Sequence, residues 1–253
     1  MTAVLHLSDL HFRSEAEDNV AAAATLSYIA AHYPEHHVLI TGDITDDGQE
    51  AQYAKARAAL EPFRGRLWLL PGNHDYGPLG NFYLEECAER FDRFLAAPFC
   101  GVTFGEGAVP AIKTVETASE KVMWIGLNSN LRTASPFDFA CGEVGELQRT
   151  MLEAILSEPA NNECIKIVAL HHHPFYHSAF LRLLDGKELL RIVFGRADVL
   201  AFGHKHVAGL WPAAAGMPWI LAAENSAGRP TAREVLIEHG RIEVRDVSIE
   251  NST

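Results

Sequence analysis

The sequence predicts an α/β fold built on a parallel sheet with crossover helices. Short apolar runs of strand length alternate with helix-length segments from the first residues onward. At least five of those runs stop at a polar group: Asp9, Asp43, Asn73, His172 and His204. No internal repeat, linker or low-complexity segment interrupts the chain, so residues 1–253 read as one domain.

Residues 4–7 read as a short apolar run, interrupted by His6, that stops at Ser8-Asp9. Residues 18–32 are rich in alanine, with helical spacing through Val20, Ala23, Ala24, Ser27 and Ala31, and close before Pro34. A second strand over 38–41 stops at Gly42-Asp43, and a helix over 49–60 is closed by Pro62. A third strand over 67–70 stops at Pro71-Gly72-Asn73. A helix is expected over about 81–95, then a stretch broken by Pro98, Gly101, Gly105 and Gly107. Residues 112–115 and 122–127 read as antiparallel strands turning at Glu120-Lys121. An amphipathic helix over 143–156 leads to a strand over 165–170 that ends in His171-His172-His173. A helix over 188–194 and a strand over 199–202 bring in Gly203-His204, and late strands are expected over 219–222, 234–238 and 242–247.

Hydrophobic residues make up 48% and charged residues 21%, which suits a packed domain and excludes a disordered chain. The formal charge is -12. That argues against sequence-independent binding of nucleic acid, where Lys and Arg must neutralise phosphates. No apolar run reaches membrane-spanning length, and the N-terminus lacks a signal-type pattern. The expectation is a cytoplasmic protein with no membrane contact, acting on a small phosphorylated substrate, with a homo-oligomer left open. Cys87, Cys100, Cys141 and Cys164 form no CxxC pair, which argues for reduced thiols and against a thiolate zinc site.

The chemistry lies in five pieces: Asp9-Leu10-His11, Gly42-Asp43, Gly72-Asn73-His74-Asp75, His171-His172-His173-Pro174 and Gly203-His204-Lys205-His206. In an extended chain, alternate residues project to one side, so Asp-x-His and His-x-His can each present two ligands together. Alone, each piece is an ordinary strand end or turn. Together they place imidazoles and carboxylates at one edge of a core, which is costly unless they pair or bind metal. In α/β sheets that edge is where ligands bind.

This set resembles the calcineurin-like metallophosphoesterases, whose motifs run D-x-H, G-D, G-N-H-[DE], a histidine before a proline, and G-H-x-H. The resemblance spans Asp9 to His206. It implies a four-layer αββα sandwich of two mixed β-sheets flanked by helices. It also implies two transition-metal ions, with Mn, Fe, Zn and Co the candidates, since the ligands are nitrogen and oxygen. Asp9, His11 and His206 would bind one ion, Asn73, His172 and His204 the other, and Asp43 would bridge them. His172 is selected by its distance from Pro174; His171 and His173 stay open. His74 would serve the reacting phosphoryl group or the leaving oxygen, with Asp75 as its orienting partner. Two ions about 3.5–4 Å apart can hold a bridging hydroxide, and they outweigh the local carboxylates in an acidic protein.

Substrate choice is expected from the loops around 76–107, 128–142 and 174–186. Arg13, Arg132, Arg182 and Asn128 are candidate substrate contacts, and Tyr76, Phe82, Tyr83, Phe137, Phe139, Phe175, Tyr176 and Phe180 are candidate stacking surfaces. The chain resembles the branch of the family that hydrolyses small phosphodiesters, 3',5'-cyclic AMP first. A phosphomonoesterase, a nucleotide pyrophosphatase and an inactive scaffold are the alternatives.

Overall fold

The computed structural model describes residues 1–105, 109–117, 120–130, 140–176, 178–226 and 231–249. Arg132, Phe137, Phe139 and Gly107 lie outside the described residues. The chain opens β1 (Thr2–Leu7), α1 (Val20–His32), β2 (His37–Thr41), α2 (Glu50–Leu60), β3 (Leu67–Leu70). It continues with α3 (Glu85–Phe91), β4 (Ala111–Glu116), β5 (Lys121–Gly126), α4 (Glu146–Ser157), β6 (Ile165–Ala169), α5 (Gly186–Val193) and β7 (Val199–Phe202). It closes with β8 (Gly209–Trp211), β9 (Trp219–Ala222), β10 (Thr231–Glu238) and β11 (Arg241–Ser248).

The strands form two mixed sheets, ordered β11-β10-β1-β2-β3 and β4-β5-β6-β7-β9-β8. β1, β2 and β3 run parallel, as do β5, β6, β7 and β9; the outer strands are antiparallel. Period-two alternation builds the layers. Trp124, Ile167, Ala169, Val199 and Ala201 point into the core shared with Leu5, Ile40 and Leu69 of the first sheet. Their neighbours Ile125, Val168, Leu170, Leu200 and Phe202 point the other way and meet Leu152, Leu156, Leu189 and Val193 of α4 and α5. On the first-sheet side, α1 and α2 flank the sheet and bury Leu26, Ile29, Tyr53 and Leu60 in the same contiguous apolar cluster. This is the four-layer sandwich of two mixed sheets flanked by helices.

Two elements differ from the sequence reading. The helix expected from residue 81 starts at Glu85, because Gly77, Pro78 and Gly80 break the preceding segment into separate 3-10 turns. Strand β8 was not expected; three residues, Gly209–Trp211, are too short to show alternation.

β1 also buries His6, whose Nε2 lies 2.9 Å from Thr41 Oγ1. Burial first, then the charge of Arg233, lowers its pKa to about 3. The folded protein therefore excludes a proton that the unfolded chain accepts near pH 6.5. Stability from this group is present above that pH and is lost as pH falls toward 3. His6→Gln should remove roughly 2 kcal/mol of the stability change between pH 6.5 and pH 5. Urea unfolding at the two pH values checks this, and equal slopes for wild type and variant would contradict it.

Candidate metal centre

Five parallel strands deliver the site. β1 ends at Ser8-Asp9, β2 at Gly42-Asp43, β3 before Gly72-Asn73, β6 before Leu170-His171 and β7 before Gly203-His204. The first two loops stay paired beyond their strands: Asp9 N donates to Gly42 O at 3.0 Å and His11 N to Asp43 O at 3.0 Å.

The backbone there is not extended. Asp9, His11, Asp43, His204 and His206 all have positive φ, between 47° and 77°. The same-side projection of Asp9 with His11, and of His204 with His206, was expected from strand geometry; it comes instead from left-handed turns. Such conformations cost of order 1 kcal/mol or more each and gather at functional sites. Asp and His are among the residues that tolerate them best.

One group of donor atoms is formed by Asp9, His11, Asp43 and His206. His11 Nε2 faces His206 Nε2 at 3.2 Å, His206 Nε2 lies 3.2 Å from Asp9 Oδ1, and His11 Nε2 lies 3.9 Å from Asp43 Oδ2. A second group is formed by Asp43, His171 and His204. His171 Nε2 sits 3.0 Å from Asn73 Oδ1, 3.2 Å from His204 Nδ1 and 3.3 Å from Asp43 Oδ2. Asp43 Oδ2 is the atom common to both groups.

The sequence reading placed His172 in this second group; the structure places His171 there. β6 stops at Ala169, and the turn after it aims the first imidazole of the triplet at the carboxylates. His172 turns into the interior, where Nδ1 meets Ser129 Oγ at 2.8 Å and its ring tilts against His204 at 4.5 Å between centroids. His173 packs on Phe175 and Phe202.

The donors fit cations. His171 Nδ1 donates to Thr41 O at 2.7 Å. A neutral ring then turns its Nε2 lone pair toward two oxygens, of Asn73 and Asp43, that are themselves acceptors. Asn73 Nδ2 donates to Gly80 O at 3.0 Å, which fixes Oδ1 toward the group. Asp9 Oδ1 and His204 Nε2 are buried without a hydrogen-bond partner. Acceptors facing acceptors in a buried site need positive charge between them. Without a metal ion, a proton supplies it. Burial alone would lower His171, but Asp43, with Asp9 behind it, raises its pKa to about 9. Burial would likewise raise Asp43, yet His171 holds it well below the usual carboxylate range.

Two glycines are dictated by space. A Cβ on Gly72 would lie 2.2 Å from Asp43 Oδ1, and one on Gly203 would lie 1.9 Å from Ser8 Oγ. Either side chain would push a carboxylate loop out of place.

Asp75 does not orient His74. Its carboxylate accepts from Gly72 N, Thr45 N, Ile44 N and Thr45 Oγ1, and so ties the Asp43 loop to the Asn73 loop. Burial and the nearby Asp43 push its pKa up to about 6 despite those N–H groups. The partner of His74 is the Asp46 carbonyl, which accepts from Nδ1 at 2.8 Å. The Asp46 carboxylate also reaches His11 Nδ1 at 3.4 Å and Arg13 Nε at 3.3 Å. Arg13 therefore stands near the site with its side chain 52% exposed.

Asn128 does not line the cleft. It is buried, with its amide on Tyr76 Oη and Phe104 O, its Oδ1 on Asn130 N and its backbone on Gln148. Every polar group it has is used inside the core. Tyr76 is likewise a core residue, whereas Phe82 and Phe180 are exposed. Asp46 and Thr41 were missed, and His171 had been left open beside His172; only the packing of the loops distinguishes them. All four cysteines are free thiols. Among the described residues no helix is long and apolar enough to cross a membrane.

The sequence model of the calcineurin-like phosphoesterases matches residues 2–208. The chain belongs to the calcineurin-like phosphoesterase family. It is a metal-dependent phosphoesterase by that membership, and the family implies divalent metal ions. It is 27% identical over 219 residues to a 3',5'-cyclic adenosine monophosphate phosphodiesterase, CpdA, of Vibrio vulnificus, covering 80% of this chain and 69% of that one. It is 25% identical over 218 residues to a 3',5'-cyclic-nucleotide phosphodiesterase of a Nostoc species, covering 81% and 71%. Among solved structures, purple acid phosphatase of yellow lupin superposes with a TM-score of 0.65 at 14% identity, over 98% of this chain and 51% of that one. This calcineurin-like chain thus spans about half that enzyme's length, and the likeness is one of fold.

Proposed function

We propose that the protein hydrolyses small phosphodiesters, with 3',5'-cyclic nucleotides as the first class to test, at a centre of two metal ions. Asp9, His11 and His206 would hold one ion; Asn73, His171 and His204 would hold the other; Asp43 would bridge. The observation that carries this reading is the single oxygen, Asp43 Oδ2, facing His11 on one side and His171 on the other. The names of the Vibrio and Nostoc relatives support the cyclic-nucleotide choice. The all-nitrogen-and-oxygen donor set supports Mn, Fe, Zn or Co.

Bound ions would supply Lewis acidity toward the phosphoryl oxygens and a water nucleophile at neutral pH. The chain's own residues do the rest. Thr41 and Gly80 fix the faces that His171 and Asn73 present. Asp75 holds the two central loops in register. His74 is held by the Asp46 carbonyl through Nδ1, which leaves Nε2 to serve the leaving oxygen. Its backbone N–H also steadies Asp43 Oδ1 at 3.0 Å.

A panel of cyclic nucleotides, aryl diesters and monoesters, run with Mn²⁺ after exhaustive chelation, tests the reading. Turnover of monoesters alone would overturn the diester assignment. His74→Asn should keep both metals. It should lose about 10²–10⁴-fold on an alkyl or sugar diester, whose poor leaving group needs a proton. The loss on bis(p-nitrophenyl) phosphate should be much smaller. Equal losses on both would show charge stabilisation without proton transfer.

A further inference from the structure

Beside His74, the chain holds an apolar side chain out into solvent at a conformational cost. Leu79 has φ +59° and ψ 10°, a left-handed conformation rare for a bulky residue. Nothing in the core repays it, because Leu79 is 68% exposed. The loop is nonetheless fixed. Leu79 N donates to Asp47 Oδ1 at 3.2 Å, and the next carbonyl, Gly80 O, accepts from Asn73 Nδ2. Gly80 presses directly on the site, since a Cβ there would lie 2.4 Å from Asn73 Nδ2 and 2.7 Å from His74 Nε2. Phe82, two residues on, is 58% exposed as well.

We infer that Leu79, with Phe82 beside it, forms an apolar wall that receives the organic part of the ester, an aromatic ring or nucleobase, next to His74. The tightness at Gly80 brings the loop within reach of the leaving oxygen, and the strained turn aims the leucine outward rather than into the core. The wall acts on the group carried by the phosphate, not on the phosphoryl group itself. Leu79 is thus a specificity residue. The inference rests on the phosphodiester reading above and refines it.

Leu79→Gly separates this role from a structural one. Glycine takes positive φ without strain, so metal content should hold and Tm should stay the same or rise. KM for bis(p-nitrophenyl) phosphate and the inhibition constant of AMP should each rise about tenfold, the worth of one partly buried leucine side chain. The inhibition constant of inorganic phosphate should stay within about twofold. Leu79→Met should restore KM, because it returns apolar surface. Unchanged KM in the glycine variant overturns the inference, and so does a phosphate constant that rises in step with that of AMP. A wild type that cleaves the aryl diester yet neither binds AMP nor cleaves cyclic nucleotides would refute the cyclic-nucleotide reading alone. The wall is then judged on KM for the aryl diester, where a rise supports it and no rise overturns it.

Discussion

Asp43→Ala should empty both metal positions together and lower phosphoesterase activity by at least roughly 10³-fold, since loss of a single oxyanion-hole donor already costs about 10²–10³-fold. Asp43 is the residue shared by the two donor groups, and it faces His11 at 3.9 Å and His171 at 3.3 Å. Its other oxygen accepts from His74 N. Removing the carboxylate strips a ligand from each position and frees the backbone that carries Asn73 and His74. It also leaves His171 without its counter-charge in a buried place, where an unpaired partner typically costs about 3–5 kcal/mol. Asp43→Asn keeps the shape and one acceptor oxygen, so it separates a folding defect from loss of metal. Both variants should show less than one metal per chain by elemental analysis, with Asp43→Asn retaining a native circular dichroism spectrum. Two metals per chain in Asp43→Asn would remove the bridging role.

The strand ends were legible because each parallel strand here is a mostly apolar run, with exceptions such as His6 and Lys166, that stops at a polar or glycine-bearing turn. β1 stops where Asp9 turns to positive φ, and β2 stops likewise at Gly42-Asp43, although Ser8, Asp9 and Asp43 all stay buried. The helices were legible from their spacing to within about three residues at either end, except the one expected over 81–95, which is displaced by four at each end. What the sequence hid lies beyond the strand ends. Period-two alternation fails there because Asp9, His11, Asp43, His204 and His206 leave the extended region. Asp75 sits next to His74 in the chain, yet its carboxylate turns back to Gly72 N on its own loop and to three donors on the Asp43 loop. Asn128 ends a strand in the manner of a ligand, but its partners Tyr76, Phe104 and Gln148 come from distant segments. A one-dimensional pattern places a residue at the edge of the sheet; only the packed loops decide which way it faces.

The His171-His172-His173 triplet gives the sharpest test of that distinction. His171→Ala should empty one metal position and cut activity by about the same factor as loss of another ligand, because its Nε2 is the imidazole atom facing Asp43 and Asn73. The Thr41 carbonyl that now accepts from His171 Nδ1 would lose that donor and keep Ser8 Oγ. His172→Ala acts differently. That ring is buried against His204 and Ser129, and burial, with His204 adding to it, keeps it uncharged far below the usual imidazole range. Its loss leaves a cavity behind His204 and costs stability, by about 2–5 kcal/mol on the scale of large-to-small core changes. Both metals should remain bound at saturating concentration, with affinity lowered about 10–100-fold through the loosened His204. Thermal unfolding and metal titration of the two variants side by side decide the matter. If His172→Ala empties a position while His171→Ala keeps both, the ligand belongs at residue 172 and the orientation of the whole triplet must be redrawn.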